Sequence, residues 1–139
     1  MLGVGAVLAA IVGPPAIDVT NGLARAGSSC VALDIIDGDT LRVFCPDMGV
    51  RSARIKSYDA PERLSYKCFS EFLAGWLATQ KLRSLLWTSG EIVITPDGSD
   101  RYGRLLVYLR AGGKGVARSM IESGHGRAYS GGRRAGWCA

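Results

Sequence analysis

The chain has 139 residues and a formal net charge of +5. That length is that of one domain, with no internal repeat or low-complexity tract to suggest an array. Residues 1–26 hold only Asp18 and Arg25, which cancel, so the whole excess lies in residues 27–139. A basic surface of this kind suits a polyanionic partner, although solubility alone also accounts for it.

The chain opens with an uncharged apolar run from Met1 to Val12. A bilayer span needs about 20 such residues, so the run is too short to cross a membrane and reads as the apolar region of a secretory leader. Ala24-Arg25-Ala26 supplies an A-x-A cleavage pattern with Gly27 as the mature start. Residues 1–26 are therefore predicted to be a signal peptide or apolar N-terminal segment. Residues 27–139 are predicted to be the domain, exported to the periplasm or secreted.

Val31 to Ile36 and Leu41 to Cys45 read as strands around an Asp37-Gly38 turn, the strongest short hairpin signal. Val50 to Tyr58 reads as a third strand, ended before Pro61. Phe69, Phe72, Leu73, Trp76 and Leu77 fall at helical spacing and predict a helix whose apolar stripe faces the core. Gly90 stops it. Glu91 to Thr95 and Arg104 to Leu109 form a second strand pair across a turn-rich link. Lys114 to Glu122 reads as a short second helix ended by Gly124. The tail from Ser130, with Arg133 and Arg134, reads as irregular and solvated. Three strands, a helix, two strands and a helix predict an α+β fold, a five-stranded barrel of the OB type.

The four cysteines, Cys30, Cys45, Cys68 and Cys138, contain no C-x-x-C pair, which argues against structural zinc. Three disulfide pairings are open. A turn at Asp37-Gly38 sets Cys30 opposite Cys45 across the hairpin, leaving Cys68 for Cys138. Four buried thiols in a cytosolic protein are the alternative.

Chemistry concentrates in three runs: Asp37-Gly38-Asp39-Thr40, Arg54 with Asp59-Ala60-Pro61-Glu62, and Asp100-Arg101-Tyr102-Gly103-Arg104. Each alone is a turn or a solvated loop. Together they offer three acids (Asp39, Asp59, Glu62) and two guanidinium groups (Arg54, Arg104). Carboxylates that face one space repel unless a cation joins them, and an arginine fork matches two phosphate oxygens at once. Those are the parts for metal-assisted attack of water on a phosphodiester.

In order and spacing the three runs resemble the staphylococcal nuclease (thermonuclease) family over roughly residues 30–129. The resemblance implies an OB-fold barrel and a Ca²⁺-dependent endonuclease that hydrolyses DNA and RNA and leaves 3′-phosphate ends; separately, the chain is expected to act as a monomer. It implies that Asp39, Asp59 and the Ala60 carbonyl hold Ca²⁺, and that Glu62 activates water. It further implies that Arg54 and Arg104 bind the scissile phosphate, Tyr102 lies near a terminal phosphate, and Tyr129 stacks under a base. Two departures stand out. The stretch from Arg63 to Lys67 is short, and a Gly- and Arg-rich tail replaces the family's C-terminal helix. The alternative is a non-catalytic OB-fold module that binds nucleic acid.

Overall fold

A computed structural model describes residues 14–138. The apolar run from Met1 to Val12 lies outside the described residues. Five main strands form one sheet: β1 (Val31–Asp37), β2 (Thr40–Cys45), β3 (Gly49–Ile55), β5 (Ile92–Ser99) and β6 (Leu105–Ala111). Short β4 (Tyr58–Asp59) pairs with β8 (Arg127–Ala128), and β7 (Lys114–Gly115) extends β6. The sheet order is β1-β2-β3-β6-β5, with β3 parallel to β6 and the other pairs antiparallel. The fold is α+β and OB-like. Its sheet is open rather than closed, because β1 and β5 are not paired along that order.

Period-two alternation places Leu41, Val43 and Cys45 of β2 in the core while Arg42 and Phe44 face outward. At the open end of the first hairpin Val31 faces Phe44, and Cys30 is bonded to Cys45, as the predicted turn required. At the closed end Asp37 faces Thr40, so the turn residues are Gly38 and Asp39. The tip is displaced by one residue because two irregularities interrupt the ladder, between Ala32 and Ile35 and between Ile35 and Asp37. Asp39 thereby sits in the turn itself.

Among the described residues three helices pack on the sheet: α1 (Pro14–Ala24), α2 (Phe69–Trp87) and α3 (Val116–Glu122). The predicted apolar stripe of α2 is not its core face. Phe69 is 71% exposed, Leu73 46%, Trp76 49% and Leu77 51%, whereas Glu71, Gly75, Ala78, Thr79, Leu82 and Leu86 are buried. Small side chains explain the choice. A Cβ at Gly75 would stand 2.5 Å from the Glu62 carbonyl carbon and 2.6 Å from the Arg63 nitrogen. One at Gly38 would meet the Ala78 Cβ at 2.7 Å. The helix therefore lets two backbone segments approach where its residues are smallest, and both segments carry candidate site residues. Gly75→Ala is accordingly expected to destabilise the protein by about 1–3 kcal/mol. That is against the gain of about 1 kcal/mol that Ala has over Gly in a helix. Urea denaturation checks it, and a variant as stable as the parent would contradict the close approach.

Helix α1 falls within the stretch read from sequence as leader. It lies against β1, and Gly22 is seated so closely over the Ala32 carbonyl that an added Cβ would be 1.8 Å from that oxygen. Asp18 is 1% exposed. It accepts hydrogen bonds from Arg83 Nε (2.9 Å), Arg83 Nη2 (3.1 Å), Trp87 Nε1 (2.8 Å) and the Ile35 amide (3.1 Å). The segment continues into the sheet, where Gly27 N donates to the Ile92 carbonyl and Ile92 N to the Arg25 carbonyl, each at 2.8 Å. No helix among the described residues is long and apolar enough to cross a membrane.

Candidate nucleic-acid site

The acids meet where the β1–β2 turn, the end of β3 and β4 converge. Asp39 comes from the turn, Arg54 from β3, and Asp59 and Ala60 from β4 and the residue after it; all four are buried. Arg54 Nη2 lies 3.4 Å from Asp39 Oδ2 and 3.5 Å from Asp59 Oδ1, so one guanidinium spans both carboxylates. It also donates to the Tyr58 carbonyl at 3.2 Å. Asp39 Oδ2 accepts from the Ala60 amide at 3.2 Å, which ties the turn to the β4 end. Burial raises the Asp39 carboxyl above its ordinary value, with Arg54 acting against the shift.

Glu62 is held by its backbone: its amide donates to Glu71 Oε2 at 3.2 Å, and the Lys67 amide donates to Glu71 Oε1 at 2.8 Å. A single buried acid on α2 thus pins both ends of the short loop after Glu62. Asp37, read from sequence only as a turn residue, is also part of the cluster. Burial, then the neighbouring Glu62, push its carboxyl up to about 7. The Arg63 amide (3.1 Å) and the Gly38 amide (3.3 Å) donate to it.

Arg104 stands at the start of β6. Asp100 Oδ2 accepts from its Nε at 2.7 Å, and Asp100 Oδ1 from its amide at 2.9 Å. Burial works the other way, but these bonds hold the Asp100 carboxyl below its ordinary value. Tyr102 is exposed, with the Arg104 guanidinium 5.7 Å from its ring centre. The Tyr129 amide donates to the Ser57 carbonyl at 3.1 Å, and Arg54 lies 5.2 Å from its ring centre. Arg54, Tyr102, Arg104, Tyr129, Arg133 and Arg134 line one groove of about 700 Å³. Asp39, Arg54, Asp59, Ala60, Glu62, Tyr102, Arg104 and Tyr129 are therefore all in the acid cluster or on the groove beside it.

The tail is irregular and mostly exposed, as the sequence predicted, but Arg134 does not point free into solvent. A Cys68–Cys138 disulfide anchors the tail. Arg134 forms an ion pair with Asp59 Oδ1, donates to Glu62 Oε1 at 3.0 Å and to the Ala60 carbonyl at 3.3 Å. Burial works against its charge, but Asp59 and Glu62 hold its proton more firmly than usual. Trp137 Nε1 donates to Asp59 Oδ2 at 3.0 Å. No local signal in the sequence marks Arg134; the only pointer was the pairing of Cys138 with Cys68.

The donor set fits a hard divalent cation. Its atoms are carboxylate and carbonyl oxygens, the preferred ligands of Ca²⁺. Asp59 Oδ1 is buried and accepts no hydrogen bond of ordinary geometry, and it faces only guanidinium groups. A positive charge already occupies the spot. Among the described residues no three His, Cys, Asp or Glu side chains form a ready-made metal cage, so two carboxylates and a carbonyl would leave the remaining positions to water and substrate.

A small OB-like domain with buried acids opening onto an arginine-lined groove belongs to the class of folds that handle nucleic acid. The staphylococcal nuclease homologue family matches residues 52–135, and the chain belongs to that family. The match begins after the Asp37–Thr40 turn, so the first acid of the cluster comes from outside it. No curated protein matches the chain.

Proposed function

We propose that this protein is a Ca²⁺-dependent endonuclease that hydrolyses the phosphodiester bonds of DNA and RNA and leaves 3′-phosphate ends. The observation that carries the reading is the Arg54 guanidinium set between Asp39 and Asp59 on the edge of the groove that Arg104 also lines. Asp39, Asp59 and the Ala60 carbonyl would hold the cation, which when bound supplies electrostatic stabilisation of charge on the phosphate. Glu62 takes the proton of the attacking water. Arg54 and Arg104 hold the phosphate oxygens as negative charge grows on them; the water oxygen bonds to phosphorus as the bond to the 5′ oxygen breaks, and that oxygen takes a proton from solvent and leaves as a hydroxyl. Tyr102 and Tyr129 flank the phosphate and the base.

Two disulfides favour an oxidising compartment, and we read the protein as exported, to the periplasm or beyond, and acting as a monomer. A second reading is a nucleic-acid-binding module without catalysis. The Arg134 contact favours it, because that side chain already neutralises the acids. Incubation of the full chain with single-stranded DNA, with calcium or with a chelator, separates the two. Cleavage that requires calcium and yields 3′-phosphate ends is the expected result. Binding of the strand without calcium-dependent cleavage would select the module instead.

A further inference from the structure

We propose that Arg134 sets the cation affinity of the acid cluster, acting as a tethered internal cation that a divalent ion must displace. The proposal rests on the reading of Asp39, Asp59 and the Ala60 carbonyl as the cation's donors.

One guanidinium engages Asp59 Oδ1, the Ala60 carbonyl and Glu62 Oε1 together. Trp137 takes the other oxygen of Asp59. A Ca²⁺ ion sits about 2.3–2.6 Å from each ligand oxygen. A guanidinium nitrogen in contact with Asp59 Oδ1 draws on the same donor the ion would use, and the two positive charges repel at that range. Arg134 in its present position therefore opposes uptake of the ion.

The side chain is placed by more than attraction. Gly132 is fixed through its carbonyl, which accepts from the Tyr129 hydroxyl at 2.6 Å. Gly136 is fixed through its carbonyl, which accepts from Arg127 at 2.7 Å, and Arg127 stacks 3.7 Å from the Trp137 ring centre. Cys138 is bonded to Cys68, just before α2. Arg134 thus hangs from a strap fastened on both sides of it, which keeps its effective concentration at the acids high. The side chain is 35% exposed and lies on the groove wall, so it can withdraw without unfolding the strap.

The consequence is quantitative. When the binding-competent state is a tenth or less of the molecules, apparent affinity falls about tenfold or more below the intrinsic value. Removing Arg134 restores the intrinsic value. Breaking the Cys68–Cys138 bond loosens the strap and shifts affinity the same way.

The test titrates the full-length chain with Ca²⁺ alone, without nucleic acid, by calorimetry. Arg134→Gln is expected to bind Ca²⁺ about ten times more tightly than the parent, or more. Arg134→Lys, which keeps the charge but loses the fork, should fall between. Cys68→Ser with Cys138→Ser should tighten binding in the parent and change little when Arg134 is already Gln. Arg118→Gln, at an ion pair with Glu122, should bind as the parent does. Thermal melting establishes that each variant is folded. Equal or weaker binding by a folded Arg134→Gln, while Asp59→Asn abolishes binding, would overturn the proposal and leave the cation site standing. Absence of Ca²⁺ binding in the parent and in Arg134→Gln alike would overturn the cation site, and the proposal with it.

Discussion

Glu62→Gln and Arg104→Lys are each expected to lower turnover on single-stranded DNA by about a hundredfold or more while the fold persists. Both substitutions preserve size and leave the packing intact. Gln at position 62 can still meet Arg134, and its amide keeps the bond to Glu71, since that bond belongs to the backbone. What it loses is a basic oxygen able to take a proton. Lys at position 104 keeps the positive charge but not the fork. Arg104 spends Nε on Asp100, which leaves the other guanidinium nitrogens for the groove. An ammonium held by Asp100 has no second planar donor to place beside a phosphate. Initial rates in excess calcium, with circular dichroism as the check on folding, read the effect. Turnover at the parent's level in both variants would remove the assigned roles.

Much of this arrangement was legible in the sequence, and the reasons differ from element to element. The first hairpin and the Cys30–Cys45 bond followed from turn chemistry, a local property, although two ladder irregularities moved the tip by one residue. The charged set was legible only as a joint pattern of three runs in order and spacing, since each run alone reads as a turn or a solvated loop. The buried face of α2 was not, because apolar periodicity counts large side chains. Here the close contacts are made by Gly75 and Ala78, whose value lies in what they lack. Asp37 was hidden by its own turn signal, and its link to Glu62 appears only once α2 presses the loop against the hairpin. Arg134 is the extreme case. Its position depends on a disulfide that closes a separation of 70 residues, a contact no local window contains. The same holds for Asp18, which sat beside an apolar run and so read as leader.

Asp18→Ala is expected to cost about 3 kcal/mol of stability, the lower part of the range for breaking a buried charge pair, since Arg83 keeps partial access to water at 25% exposure. Four donor atoms converge on that carboxylate from two elements: Arg83 Nε and Nη2 and Trp87 Nε1 on α2, and the Ile35 amide on β1. Truncation takes the acceptor from the Ile35 amide and the Trp87 indole as well as stranding the guanidinium. Urea denaturation measures the loss, and an unchanged midpoint would show that α1 is dispensable. A chain begun at Gly27 loses Asp18, the seat of Gly22 on Ala32 and the Arg25 carbonyl that receives the Ile92 amide. It should therefore be destabilised by at least as much as the point variant. Processing at Ala26 would discard part of the fold; if the chain is exported and trimmed, its first residue should lie before Asp18. N-terminal sequencing of the protein isolated from the cells that make it, or from their medium, reads that directly, and a start at Gly27 in a stable, active protein would mean that the Asp18 network is not needed for the fold.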